Sequence, residues 1–300
     1  MTTDRTTTDD RTTTDDRTTA DGPHGRPDRI ALTGAAGSLA TDVLPGLTDL
    51  GYHVVGVDRK PATDTAAAIC QDWARCEITD SDALVTAFTG CGAVVHLAGI
   101  PLEADWETVS RVNIDGTQAV LEAARRAGVP RVVLASSIHA VGYVGIPADG
   151  GTVPDDVPAR PNTFYGVSKA AVEALGSLYH DRYGLEVVCL RIASRFARPR
   201  DERMLATWLS PADAVRLTDA ALRAPGVGFR LVWGVSANSR GYLSHSGGAA
   251  IGYTPVDDAE RYADTLFAEA GDDPSVLASE EDRRFLGGVF CSEHPPMFEW

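Results

Sequence analysis

The chain has 300 residues, room for one large domain or two average ones, and its 44% hydrophobic and 23% charged content is ordinary for a soluble globular protein. A net charge of −15 argues against nucleic acid or an anionic membrane surface as the main partner. No apolar run is long enough to span a bilayer.

Residues 1–28 read as a low-complexity tail outside the fold. Asp4-Arg5-Thr6-Thr7-Thr8-Asp9 recurs at Asp10–Asp15 and again, nearly unchanged, at Asp16–Asp21. Such a run has no apolar face to bury, so disorder is expected, and it lacks the apolar stretch of a secretory signal. From Arg29 the pattern changes. Arg29–Thr33 reads as a buried strand, Gly37–Leu50 as a helix with a kink expected at Pro45, and His53–Val57 as a second strand. Then follow a strand near Ala74–Ile78, a helix at Ser81–Phe88 and a strand at Ala93–Leu97. A helix near Trp106–Ala127, a strand at Arg131–Ala135, a long helix after Asn162 and a strand at Glu186–Ile192 complete the alternation. This rhythm predicts an α/β fold, a Rossmann-type doubly wound parallel sheet over residues 29–300. The less regular part from about residue 193 to 300 reads as a small substrate-covering region.

Five cysteines without a CxxC pair predict reduced thiols in a cytoplasmic protein. The seven histidines show no HxxxH or HExxH spacing, so no metal site is expected. Basic residues are lopsided, with 25 arginines and only Lys60 and Lys169 as lysines.

Gly34-Ala-Ala-Gly37-Ser38-Leu39-Ala40 lies between the first strand and the first helix. Gly34 suits the tight turn, Gly37 lets backbone amides approach a pyrophosphate, and Ala40 allows close helix–strand packing. Asp58 ends the second strand, where a carboxylate accepts the adenosine ribose hydroxyls and favours NAD over NADP. The neighbouring Arg59 and Lys60 weaken that preference. Leu97, Ala98 and Gly99 end a buried strand in small residues and leave room for a ligand. His96, inside that strand, reads as a satisfied core histidine.

Tyr165 and Lys169 stand one helical turn apart on one face. A phenol titrates near 10, and a neighbouring ammonium is expected to pull it down toward use as a base. Ser136 and Ser137 end the preceding strand, where a hydroxyl can orient a substrate alcohol. Glycine loop, strand-end Ser, Tyr and Lys together resemble the short-chain dehydrogenase/reductase superfamily. Asn113-Ile-Asp-Gly116-Thr117 resembles the Asn-x-x-Gly-Thr of its extended branch, the NAD-dependent epimerases and dehydratases.

Arg191, Arg195, Arg198, Arg200 and Arg203 form a basic island in an acidic chain. Charge density alone leaves two readings level: a site for a small anion, or surface arginines paired with nearby acids. Longer segments are similar to uronate dehydrogenases: Val157–Lys169, Arg203–Ser210, Val232–Asn238 and Ile251–Glu260. That resemblance implies NAD as cofactor and oxidation of the C1 hemiacetal of a hexuronic acid to an aldarolactone. It implies Tyr165 as base, Lys169 as its electrostatic partner and Ser137 as binder of the reacting hydroxyl. His139 and Ser194 would contact the sugar and Arg203 its carboxylate. The cofactor would meet Gly34, Gly37, Ser38, Leu39, Asp58, Glu77, Ile78, Leu97, Ala98, Gly99 and Asn113, besides Tyr165 and Lys169. By family analogy a homo-oligomer is expected.

The chain departs from that pattern at Ile138 for an Asn, at Pro101 for a Ser and at Glu77 for an Asp. Arg195 and Phe196 stand for small residues beside Ser194. These changes point to a different or less polar sugar acid. A nucleotide-sugar epimerase or dehydratase is the alternative on the same scaffold. A non-catalytic cofactor sensor is a third reading, and the Tyr-Lys pair argues against it.

Overall fold

Ile30, Ala31 and Leu32 of strand β1 (Arg29–Thr33) are all fully buried, yet they serve opposite layers. Ile30 and Leu32 join one apolar cluster and Ala31 the other, as the two-residue period of a strand requires. The computed structural model describes residues 27–271 and 273–296, so nearly all of the predicted tail lies outside the described residues.

β1 pairs in parallel with β2 (His53–Asp58) on one side and β4 (Ala93–His96) on the other. β3 (Asp72–Arg75), β5 (Arg131–Ser137), β6 (Glu186–Ile192) and β9 (Phe229–Gly234) extend a seven-stranded sheet in the order β3-β2-β1-β4-β5-β6-β9. All its pairings are parallel. The order reverses between β1 and β4, and the crevice beyond that point is where such sheets bind ligands. Two helices cover one face, α1 (Ser38–Asp49) and α8 (Pro211–Arg223), through Leu44, Leu47, Leu217 and Leu222. Helices α3 (Ser81–Phe88), α5 (Gly116–Arg126) and α6 (Phe164–Tyr183) cover the other through Leu84, Phe88, Leu121 and Val172.

Several expected boundaries shift. β3 runs over Asp72–Arg75 rather than Ala74–Ile78: the Cys76 amide makes the last bond to β2, at the Asp58 carbonyl, and Asp80 soon caps α3. A short α2 (Asp64–Ile69), capped by Thr63, precedes it. α1 runs unbroken through Pro45. The helix expected over Trp106–Ala127 divides into α4 (Trp106–Val109), a π-helical turn Ser110–Asp115, and α5. Such wide turns gather at functional sites.

β9 is the strand that goes unread in the sequence, and it completes the sheet beside β6. Outside it, the C-terminal part adds a two-stranded ribbon, β7 (Ser194–Arg195) with β8 (Trp208–Leu209), and the intervening α7 (Met204–Thr207). α9 (Ser246–Ala250), α10 (Ala263–Ala270) and α11 (Glu280–Arg284) follow. This part shares one core with the segment after β5 and with β9, joining Ile138, Val153, Trp233, Leu243 and Leu286, and has another that joins Leu205, Trp208 and Ala259.

Candidate active site

The glycine loop folds as a cradle too tight for side chains. Gly34 has φ +73°, and a Cβ there would lie 2.6 Å from the Ala98 amide nitrogen. A Cβ on Gly37 would lie 2.9 Å from the Gly34 carbonyl oxygen. Gly37 supplies no side chain to cap α1, which leaves the helix N-terminus facing the crevice as an anion site. Asp58 stands across the loop: its carboxylate accepts the Ala36 amide at 3.0 Å and the Lys60 amide at 2.9 Å. These groups fit a dinucleotide pyrophosphate and its adenosine ribose. Leu97, Ala98 and Gly99 follow β4, and the Ala98 amide donates to Thr33 Oγ1 at 3.4 Å.

His96 is the satisfied core histidine expected. It is 3% exposed and held between Thr33 Oγ1 at 2.7 Å and Thr117 Oγ1 at 3.1 Å. Burial, helped by the Lys169 charge, drives its pKa down to about 3. Asn113 lies on the π-helical turn. Its amide accepts from the Ile100 amide at 2.7 Å and donates to the Ile100 carbonyl at 3.1 Å and Ser168 Oγ at 2.9 Å. The side chain ties the loop after β4 to α6. Glu77 is exposed after β3, and Ile78 packs against Gly116.

The reacting groups meet where β5 ends beside α6. Ser137, Tyr165 and Lys169 are all buried, and Ser137 Oγ accepts the His139 amide at 3.2 Å. Lys169 Nζ donates to the Ala135 carbonyl at 2.6 Å and lies 5.6 Å from the Tyr165 ring centre. One expectation is overturned here. Burial pushes the Tyr165 phenol up to about 12, against a smaller downward pull from Ser137. The same burial pulls Lys169 down to about 8. Desolvation is the largest cause at both groups in the free protein.

The serine before Ser137 anchors the strand from behind. Ser136 Oγ donates to Glu173 Oε1 at 2.6 Å, and Arg191 grips the same carboxylate at 2.9 and 2.8 Å. Arg191 also donates to the Asp155 and Val157 carbonyls, each at 2.9 Å. It is a buried structural residue, and the basic island resolves differently residue by residue. Arg198 pairs with Glu269 at the surface, and Arg200 covers the Phe196 ring at 4.0 Å. Arg195 reaches Asp42. Arg203 alone turns toward the sugar-binding candidates: it donates to Ser194 Oγ at 3.3 Å and to the Leu286 carbonyl. Its Nε and the Tyr242 hydroxyl are buried without a hydrogen-bond partner among the described residues. Both line a cavity of about 230 Å³ that also touches Asp282. Neither this cavity nor a larger groove of about 510 Å³ beside Arg198 and Glu269 has Ser137, Tyr165 or Lys169 in its lining.

His139 joins the two halves. Its ring stands edge-on to Tyr165 at 5.8 Å and to Phe290 at 4.9 Å, and Nδ1 lies 3.2 Å from Asn162 Oδ1. Burial, then the Arg203 charge, lowers its pKa to about 4, so it is uncharged at neutral pH. Asn162, Phe290 and Tyr242 carry no local motif, and sequence reasoning missed them. Ile138 is 2% exposed within the apolar cluster around Trp233, which accounts for an apolar residue there without reference to the sugar.

Glu103 is a further residue without a sequence signal. Its buried carboxylate accepts the Phe164 amide at 3.1 Å and the Tyr165 amide at 2.8 Å, while Thr163 caps Gly166. It fixes the first turn of the helix that carries the phenol. Glu103→Gln turns one acceptor into a donor facing an N–H. It is expected to cost about 1–2 kcal/mol, as the loss of a strong cap does, and thermal denaturation should show a drop of a few degrees. An unchanged melting temperature would refute this anchoring role.

Among known proteins, the profile of the NAD dependent epimerase/dehydratase family matches residues 30–240. The chain belongs to this family. Within it, a uronate dehydrogenase from Pseudomonas syringae pv. tomato is 34% identical over 271 residues, covering 89% of this chain and 94% of that protein. The uronate dehydrogenase of Agrobacterium fabrum is 39% identical over 225 residues, covering 75% of this chain and 82% of that protein. A crystal structure of a mutant Agrobacterium tumefaciens uronate dehydrogenase complexed with NAD superposes with a TM-score of 0.80 at 35% identity, covering 91% of this chain and 99% of that one. This epimerase/dehydratase-family chain is therefore an NAD-dependent dehydrogenase of uronate dehydrogenase type, and its expected parallel sheet and NAD dependence stand. Among the described residues, no helix is long and apolar enough to cross a membrane.

Proposed function

We propose that the chain oxidises the C1 hemiacetal of a hexuronic acid, such as glucuronate or galacturonate, to the aldarolactone. The observation that carries this reading is the Arg203 guanidinium, which donates to Ser194 Oγ and whose buried Nε makes no hydrogen bond and meets only the Asp282 carboxylate, 3.7 Å away. A planar cation in that position suits a sugar carboxylate. Ser137 binds the reacting hydroxyl and Tyr165 Oη takes its proton. NAD would be held by the glycine loop and Asp58 and would supply the hydride acceptor for C1. Lys169, fixed by the Ala135 carbonyl, keeps positive charge beneath the phenol. With His139 Nδ1–H donating to Asn162, its Nε2 is an acceptor for a sugar hydroxyl.

The test is incubation with NAD and a panel of uronates, read at the NADH absorbance band. NADH should accumulate with at least one hexuronate. Binding of NADH without turnover of any uronate would overturn the substrate assignment. The larger departures from related enzymes lie at Arg195 and Pro101, since Ile138 is a core residue.

A further inference from the structure

We propose that Arg195 is a pyrophosphate ligand of the bound dinucleotide, with Asp42 as its counter-ion in the free protein. The inference rests on the family's NAD dependence and not on the choice of sugar. Arg195 extends from β7, immediately after β6, across to the opening turns of α1. One guanidinium nitrogen donates to Ser38 Oγ at 2.7 Å and the other to Asp42 Oδ2 at 2.5 Å. Ser38 and Asp42 are four residues apart and so share one face of α1. The partners stand 157 and 153 positions away in the chain, so the contact joins two separate segments.

Ser38 is the first residue of α1, the helix whose uncapped N-terminus faces the crevice. A guanidinium bonded to that hydroxyl therefore sits within a few ångströms of any phosphate seated on the helix. The same N-terminus carries the positive end of the helix dipole, which by itself disfavours a cation there. Asp42 offsets that repulsion. Its side chain and that of Arg195 are only 20% and 21% exposed, so solvent screens the pair weakly. A pyrophosphate brings two negative charges to the same place, and a guanidinium fork can bind its oxygens in two-point fashion. The pair is thus a preset charge: Asp42 holds Arg195 in reach, and the phosphate competes with Asp42 for it.

A second possibility is that Arg195 only latches the loop to α1. The two roles give opposite signs at Asp42. For a pyrophosphate ligand, Arg195→Ala should weaken NADH binding about tenfold or more, as loss of a charge-assisted hydrogen bond does. Asp42→Asn should tighten binding a few-fold, by freeing the guanidinium and removing a negative charge. For a latch, both variants weaken binding. Kd for NADH and for ADP-ribose would be measured by calorimetry at low and high salt, with thermal denaturation alongside. ADP-ribose should lose as much affinity as NADH with Arg195→Ala, because it keeps the pyrophosphate and lacks the nicotinamide. The weakening should shrink in high salt. Wild-type affinity in Arg195→Ala, or weaker affinity in Asp42→Asn, would overturn the proposal. These binding readouts stand even if no uronate is a substrate.

Discussion

Replacing Tyr165 with Phe is expected to lower kcat/KM for the sugar acid by about 10²–10⁴-fold, the usual worth of a positioned acid–base group. NADH binding should stay within a few-fold of the parent value. The substitution removes one oxygen from a ring that is 8% exposed, and the ring keeps its contact with His139. The pH profile carries the sharper information. The phenol acts as a base only when deprotonated, and burial holds it near 12 in the free protein. Activity of the parent enzyme should therefore rise with pH across the neutral range, by up to tenfold per unit while the phenol stays mostly protonated. His139, lowered to about 4, is uncharged throughout that range and adds no falling limb. The residual rate of Tyr165→Phe should lack the rising limb. A variant that keeps both the rate and the slope would remove Tyr165 from the chemistry.

The contrast between Lys169 and His96 shows what a sequence can reveal about such a site. The turn that puts Tyr165 and Lys169 on one face follows from helix geometry, so their meeting is legible from spacing alone. Their protonation is not, because desolvation depends on what covers them. That cover comes from β5, the loop after β4 at Gly99 and the His139 ring, all distant in the chain. His96 was legible because it lies inside a run of buried strand residues, where a satisfied histidine is the ordinary outcome. The sheet was readable for a similar reason: β1, β2, β4, β5 and β6 each hold a run of buried apolar residues next to a helix, whereas β3, Asp72-Trp-Ala-Arg75, has none and was misplaced. β9 escaped because only Val232–Gly234 of Phe229–Gly234 is buried, at the sheet edge, and the strand follows an irregular stretch of the chain. The arginine island shows the limit of composition. Five similar residues within one segment include a buried anchor, a bridge to α1, two surface residues and one guanidinium beside Ser194. Only the positions of Glu173, Asp42, Glu269 and Leu286, far away in sequence, tell them apart.

Arg203 carries the other large expected effect. Arg203→Met should reduce kcat/KM for hexuronates by about 10²–10³-fold, the range for truncating one partner of a desolvated charge pair. By the conversion of about 1.4 kcal/mol per tenfold this is roughly 3–4 kcal/mol. The loss should fall mainly on KM, since the carboxylate lies far from C1 and contributes to binding in ground and transition states alike. Arg203→Lys should recover part of it, because a lysine restores the charge without the planar fork. The residue also has structural partners in Ser194, the Leu286 carbonyl and Asp282, whose carboxylate lies 3.7 Å from Nε. The decisive comparison is therefore between substrates. A neutral aldose with the same C1 hemiacetal has no carboxylate to lose, and its kcat/KM should change only a few-fold in Arg203→Met. Melting temperatures measured in parallel separate a loosened C-terminal segment from a missing charge. Equal losses for the acid and the neutral sugar would make Arg203 a scaffold residue. The specificity of the site for an acid would then need another cation, and among the described residues Arg240 and Arg283 line the same cavity.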